Sequence, residues 1–190
     1  LTRLDSGDYL DDFESRKRGL QMRAKQNSRG VTDLIPTGIR RFDQISGGIQ
    51  KGELGILIAG TGVGKSIAKL NFATHAWLCG FNVIHVGLEM TRAENEYRAD
   101  TLLTNITAKT FRFAKLTSRE YGVWEAVIDR LRKQKRENYL EFAGMLSATM
   151  SEILGFVEAT SARRGPVDLV IVDHLVLVHR DYPRERHEKM

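Results

Sequence analysis

Eight residues, Ala59-Gly60-Thr61-Gly62-Val63-Gly64-Lys65-Ser66, carry the most legible chemistry in this chain. They follow an apolar run, Leu54 to Ala59, and open a helix-like run, Ser66 to Cys79. Glycines let the backbone curl tightly, so successive N–H groups can point at one anion. The helix that follows adds its positive N-terminal end. A phosphate-binding loop at a strand-to-helix junction has this form. Lys65 would reach the β- and γ-phosphates of a nucleotide, and the Ser66 hydroxyl would ligate Mg²⁺. Ala59 stands where the strict pattern has glycine. The structural alternative is a glycine-rich turn with a solvated lysine.

Two acids could complete such a site. Leu169-Val170-Ile171-Val172-Asp173 ends an apolar run on a carboxylate. In open α/β sheets ligands bind at the carboxyl ends of the strands. Asp173 there would hold Mg²⁺, or simply cap a buried strand. Glu89 ends a second apolar run, Val86-Gly87-Leu88-Glu89. It would act as a general base toward water, or as an acid at the start of a helix beginning near Arg92. The local sequence leaves both roles open.

The surrounding pattern supplies the scaffold. Strands are expected at Leu54–Ala59, Asn82–Glu89, Tyr139–Ala143 and Asp168–Asp173. Helices are expected at Lys65–Cys79, Arg92–Leu103, Ser118–Lys135 and Met150–Arg163. The first, second and fourth strands are nearly all apolar, as strands covered on both faces are. Alternation of strand and helix implies a mostly parallel α/β sheet with helices on both faces. Turns are expected at Pro36-Thr37-Gly38 and Ser46-Gly47-Gly48, with Ile39, Phe42 and Ile45 at helical spacing between them. Residues 1–32 read as a charged linker with a short amphipathic helix near Asp8 to Lys25, and residues 33–190 as the core domain.

Composition is consistent with this. The chain has 190 residues, 42% of them hydrophobic, enough for one α/β domain with a core. A single cysteine excludes a disulfide scaffold and fits a reducing cytoplasm. Cys79, among Ala76, Trp77 and Leu78, is expected to be a buried thiol. No apolar run approaches the ~18 residues of a membrane span. The five histidines show no metal spacing, so no zinc is expected. The formal net charge of +5 permits nucleic-acid binding.

Beyond these elements the chain resembles a family. Pro36-Thr37-Gly38, then Phe42-Asp43, Gly47-Gly48 and Gly52-Glu53-Leu54, resemble the entry to RecA-like ATPase cores. Leu88-Glu89-Met90-Thr91 with Arg98 downstream resembles the Leu-Glu-Met-Ser…Arg block of DnaB-type replicative helicases. The loop of that family often begins with alanine, as at Ala59. Asp168 to Leu175 resembles its second nucleotide motif. The resemblance spans residue 33 to about residue 178. It implies a RecA-like P-loop core that binds ATP and Mg²⁺. It further implies Glu89 as catalytic glutamate, residues 59–66 and Arg98 as nucleotide contacts, and Ser66 and Asp173 as Mg²⁺ ligands. A homo-oligomeric ring, usually hexameric, on single-stranded DNA in the cytoplasm of a bacterium or a phage-infected host is implied, with primase and a helicase loader as partners. His174 departs from the family's tyrosine, and Val176 from its γ-phosphate-sensing glutamine. A valine side chain cannot hydrogen-bond. These departures suggest a phage-encoded member. The alternatives are a recombinase or KaiC-like regulatory ATPase, or a nucleotide-binding scaffold with little turnover.

Other features have plainer readings. Arg132 to Arg136, and Arg163-Arg164, are expected to be solvated helix ends that match the helix dipole. Phe111 and Phe113, and Trp77 and Trp124, are expected to pack in the core. Arg180, Arg184 and Arg186 form a basic tail that would face DNA or a neighbouring subunit.

Overall fold

The computed structural model describes residues 8–28, 34–134 and 136–179. The basic tail from Arg180 onward lies outside the described residues. The chain divides into two compact units, Leu1–Leu34 and Ile35–Met190.

In the first unit a turn precedes helix α1 (Phe13–Ser28). The Asp8 carboxylate accepts the Leu10 and Asp11 amides at 2.8 and 3.2 Å. That side-chain turn sets the helix start at Phe13, five residues later than Asp8. The expected stripe, Leu10, Phe13, Leu20 and Met22, is exposed.

From Leu34, the last residue of the first unit, the chain runs β1 (Leu34–Ile35), α2 (Arg40–Ser46), β2 (Ile49–Gln50), α3 (Lys65–Leu78), β3 (Val83–Gly87), α4 (Arg92–Thr104), α5 (Ala108–Arg112), α6 (Ser118–Lys133), β4 (Leu140–Gly144), β5 (Ala148–Thr149), α7 (Met150–Arg164), β6 (Leu169–Asp173) and β7 (Val178–His179). The main sheet has the order β4-β3-β6 and is parallel throughout. Every residue of β3 is buried. Its alternation splits two cores. Ile84 and Val86 pack with Ile153, Phe156 and Val157 of α7 on one face. Val83 packs with Ala73, Ala76 and Trp77 of α3 on the other. Burying each such aliphatic side chain stabilises the fold by about 1.5–3 kcal/mol.

Helix starts are fixed by local chemistry. Thr91, Thr117 and Thr149 each cap a helix, with Glu94, Glu120 and Glu152 closing the box. Each cap stabilises by about 0.5–2 kcal/mol. The Pro36–Asp43 block also has a structural cause. The Asp43 carboxylate accepts the Thr37 amide at 2.9 Å, the Thr37 hydroxyl at 2.7 Å and the Gly38 amide at 3.0 Å. Those bonds outweigh the upward push of burial and hold the Asp43 carboxyl below its ordinary pKa.

Several expectations require correction. Leu54–Ala59 is not a strand: it forms no ladder among the described residues, and Leu54, Ile56 and Ile58 are exposed. An apolar run signals a surface that burial would stabilise. A strand also needs a hydrogen-bonding neighbour, and among the described residues Leu54–Ala59 pairs with neither outer strand of the β4-β3-β6 sheet. β6 is an edge strand of that sheet and is only partly covered, with Val170 39% exposed. Cys79 is exposed, because it lies one residue past the end of α3. Phe111 is buried, but Phe113 lies beyond the end of α5 and is 56% exposed. Trp77 and Trp124 are half-buried; Trp77 borders the α3 core, and the Trp124 ring packs edge-on to Phe111.

Arg132, Lys133, Arg163 and Arg164 are exposed in the last turns of α6 and α7, as expected, whereas Arg136 is half-buried. Arg136 donates to the Trp77 and Leu78 carbonyls at 3.3 and 3.0 Å, satisfying the open end of α3. Arg163 and Arg164 both pair with Glu141 on β4.

Candidate nucleotide site at the carboxyl edge of the sheet

Register places the site. Gly87 is level with Gly144 on β4 and with Asp173 on β6. The three strands therefore end together, and the segments beyond them share one edge. The Leu88 amide donates to the Asp173 carbonyl at 2.7 Å, and the Met145 amide to the Gly87 carbonyl at 2.8 Å. These bonds extend the ladder one step past the strands and hold Glu89 beside the end of β6.

Two glycines permit this closure. A Cβ on Gly144 would stand 2.6 Å from the backbone nitrogen of Arg92. A Cβ on Gly87 would stand 2.4 Å from Asn95 Nδ2. Asn95 is buried, and its amide donates to the Thr91 carbonyl at 3.2 Å. The first turn of α4 thus sits directly on the ends of β3 and β4. Thr91 and Glu94 supply the cap of α4, so the capping role considered for Glu89 is filled by other residues. Glu89 is 60% exposed at its side chain, and its Oε2 lies 3.4 Å from His174 Nδ1.

The loop from Ala59 to Gly64 leads into α3. Gly62 and Gly64 have φ of 76° and 99°, values that residues with a Cβ rarely adopt. Gly64 is the N-cap of α3, followed at once by Lys65 and Ser66. The Lys65 ammonium folds back on its own loop, donating to the Ala59 and Gly60 carbonyls at 2.6 and 2.7 Å. The buried stripe of α3 includes Lys69, Leu70, Ala73 and Ala76, at helical spacing. Asp173 lies under this stripe. Its carboxylate accepts from the Lys69 ammonium and from Ser66. Burial pushes the Asp173 carboxyl up, but these partners outweigh it and hold the group below its ordinary pKa.

Ser66, Asp173 and Glu89, which sequence reasoning singled out, are thus brought to one sheet edge. Lys65 and the loop open the same helix that carries Ser66. Arg98 lies further along α4, where its charge acts on Glu94. It makes no hydrogen bond or ion pair among the described residues. Val176 is 86% exposed, in the short turn Leu175–Leu177 beyond β6. Sequence reasoning missed Lys69 and His85. Lys69 could have been found from its place on the apolar stripe, three residues after Ser66. His85 sits inside an otherwise apolar strand, with neither ring nitrogen hydrogen-bonded. Burial keeps it neutral, with a pKa of about 4.

A parallel sheet with helices on both faces, and a glycine loop opening a helix at its carboxyl edge, defines a RecA-like ATPase fold. Two solved structures share that fold. One, described as an ATPase domain, matches 97% of this chain and 62% of its own, with a TM-score of 0.71 and 17% identity. A DnaB-like replicative helicase, solved for its interactions with primase, matches 100% of this chain and 43% of its own, with a TM-score of 0.70 and 18% identity. The DnaB-like helicase C-terminal domain model matches residues 34–190, and the chain belongs to that family. Among curated relatives, the DnaB-like replicative helicase of Enterobacteria phage T4 is 26% identical over 115 residues, 60% of this chain and 22% of the relative. The replicative DNA helicase DnaB of Geobacillus stearothermophilus is 34% identical over 97 residues, 50% of this chain and 21% of the relative. The chain spans about a fifth of the length of these relatives.

Proposed function

We propose that residues 33–190 form the ATP-hydrolysing motor portion of a ring-forming replicative DNA helicase. The observation that carries this reading is the convergence of Ser66, Asp173 and Glu89 at one sheet edge, beside a loop with positive-φ glycines. The backbone N–H groups from Gly60 to Gly64 and the N-terminus of α3 would cradle the phosphates of ATP. Lys65 would leave the Ala59 and Gly60 carbonyls and pair with the β- and γ-phosphates. Ser66 and Asp173 offer the oxygen donors that magnesium takes, and the bound ion would neutralise phosphate charge. Glu89 is exposed enough to meet a water and would accept its proton.

The whole assembly belongs to this proposal. A neighbouring subunit would supply an arginine to the site, an addition worth ~10³–10⁵ in rate in related systems. A hexameric ring around single-stranded DNA, working with primase and a loader in the cytoplasm of a bacterium or phage-infected host, is the corresponding expectation. Residues 1–32 would act as a linker, whose exposed apolar stripe on α1 suits docking on the next subunit.

The direct test measures ATP turnover, duplex unwinding and strand exchange on the assembled full-length protein. DNA-stimulated turnover with unwinding supports the proposal. Strand exchange without unwinding points to a recombinase, and nucleotide binding without turnover points to a scaffold. DNA affinity should fall as salt rises, since phosphate contacts release counterions. Deleting residues 1–30 should loosen the ring and lower turnover together, as sedimentation and turnover on one sample would show.

A further inference from the structure

We propose that Lys69 is a resident counter-ion of Asp173, competing with the divalent cation for that carboxylate and so raising the metal concentration the site requires. The inference rests on the reading of Asp173 as the metal-binding acid and adds a residue that the reading does not use. Lys69 is 8% exposed and Asp173 5% exposed. Lysine is almost never buried to this degree without a partner. Its ammonium contacts Asp173 Oδ1 and reaches the Val172 carbonyl at 3.5 Å. Ser66 and Lys69 lie three residues apart on α3, so they share one helix face and both reach the same carboxylate.

The electrostatics follow from this arrangement. With Lys69 in place, the Asp173 carboxylate is already neutralised by a fixed cation. His85, the other titratable group acting on this pair, is buried with neither ring nitrogen bonded. A divalent ion entering at Asp173 meets the Lys69 ammonium at close range in a site largely shielded from water, where like charges repel strongly. It must displace the ammonium or share the carboxylate with it. The lysine and the metal therefore act as competing ligands of one group.

The test uses the full-length protein without nucleotide. Mn²⁺ binding is read from the loss of its free electron paramagnetic resonance signal, and thermal midpoints are followed as MgCl₂ is added. Lys69→Met should bind Mn²⁺ at least about fivefold more tightly than the natural chain, because the close like charge is gone. Its midpoint should also rise more with MgCl₂, because the metal then replaces the missing cation. Lys69→Arg keeps the charge and should bind as the natural chain does. Should Lys69→Met fail to fold, Lys69→Gln offers a donor without a charge, and the same comparison applies. Equal affinity in the neutral variant and the natural chain, including no binding in either, overturns the role of Lys69. If binding is equal but lost in Asp173→Asn, the metal role of Asp173 survives. Tighter binding in Lys69→Met that Asp173→Asn does not abolish overturns the reading of Asp173, and the Lys69 inference with it.

Discussion

Glu89 and His174 face each other across the carboxyl edge of the sheet, with Glu89 Oε2 3.4 Å from His174 Nδ1. Each residue directly follows a member of the backbone bond from the Leu88 amide to the Asp173 carbonyl. The two backbones are therefore held together by an extension of the β3–β6 ladder, which keeps both side chains at one edge. A carboxylate more than half exposed and beside the proposed metal acid suits proton transfer from a water.

Glu89→Gln keeps the side-chain shape and removes the basicity. ATP turnover should fall by ~10²-fold or more, the usual size of a general-base contribution. Nucleotide affinity should stay near that of the natural chain. Unchanged turnover in an assembly known to be active would reduce Glu89 to a structural partner of His174.

Lys65→Ala should abolish tight ATP binding. Among the described residues the ammonium bonds only its own loop, at Ala59 and Gly60. Its removal should therefore leave the melting temperature almost unchanged. A nucleotide titration showing near-normal affinity would sink the phosphate-loop assignment.

Gly144→Ala tests the seating of α4. The added Cβ would meet the Arg92 backbone nitrogen at 2.6 Å, and backbone cannot yield as a flexible side chain can. Overpacking of this kind typically costs about 1–3 kcal/mol. Urea unfolding should show that loss. Turnover should fall as well, since α4 is joined to Glu89 through Met90 and Thr91. ATP affinity should change less than turnover, because Gly144 meets the start of α4 and not the phosphate loop.

Much of this site was legible in the sequence because its signals are local. Gly62 and Gly64 supply φ values that few other residues adopt, and an apolar run ending in an acid marks the end of β6. β3 was legible because both of its faces are covered, so its residues read as apolar throughout. Leu54–Ala59 has the same apolar pattern without forming a strand, because ladder pairing depends on residues distant in sequence. Lys69 was missed for a related reason. A lysine inside a helix is usually solvated; its place on the apolar stripe of α3 hints otherwise, but its partner Asp173 lies 104 residues later. Arg136 was read as a solvated helix end because its acceptors, the Trp77 and Leu78 carbonyls, lie on another element.

Asp100 provides a pH test away from the proposed metal site. Burial within α4 raises its carboxyl pKa to about 6, Glu96 adds to the rise, and the nearby Trp124 indole opposes it only in part. A carboxyl whose pKa is higher in the folded state binds its proton more tightly there than when unfolded. Its contribution to stability is fully present below the unfolded value near 3.8 and is lost as pH rises through about 6. Asp100→Asn has nearly the same shape and does not titrate. Its melting temperature should therefore exceed that of the natural chain at pH 8, and the difference should shrink steadily toward pH 4. Trp124 lies beside Asp100, so its fluorescence can report the unfolding of both proteins. A difference in melting temperature that stays constant between pH 4 and pH 8 would show that the Asp100 carboxyl titrates alike in the folded and unfolded chains.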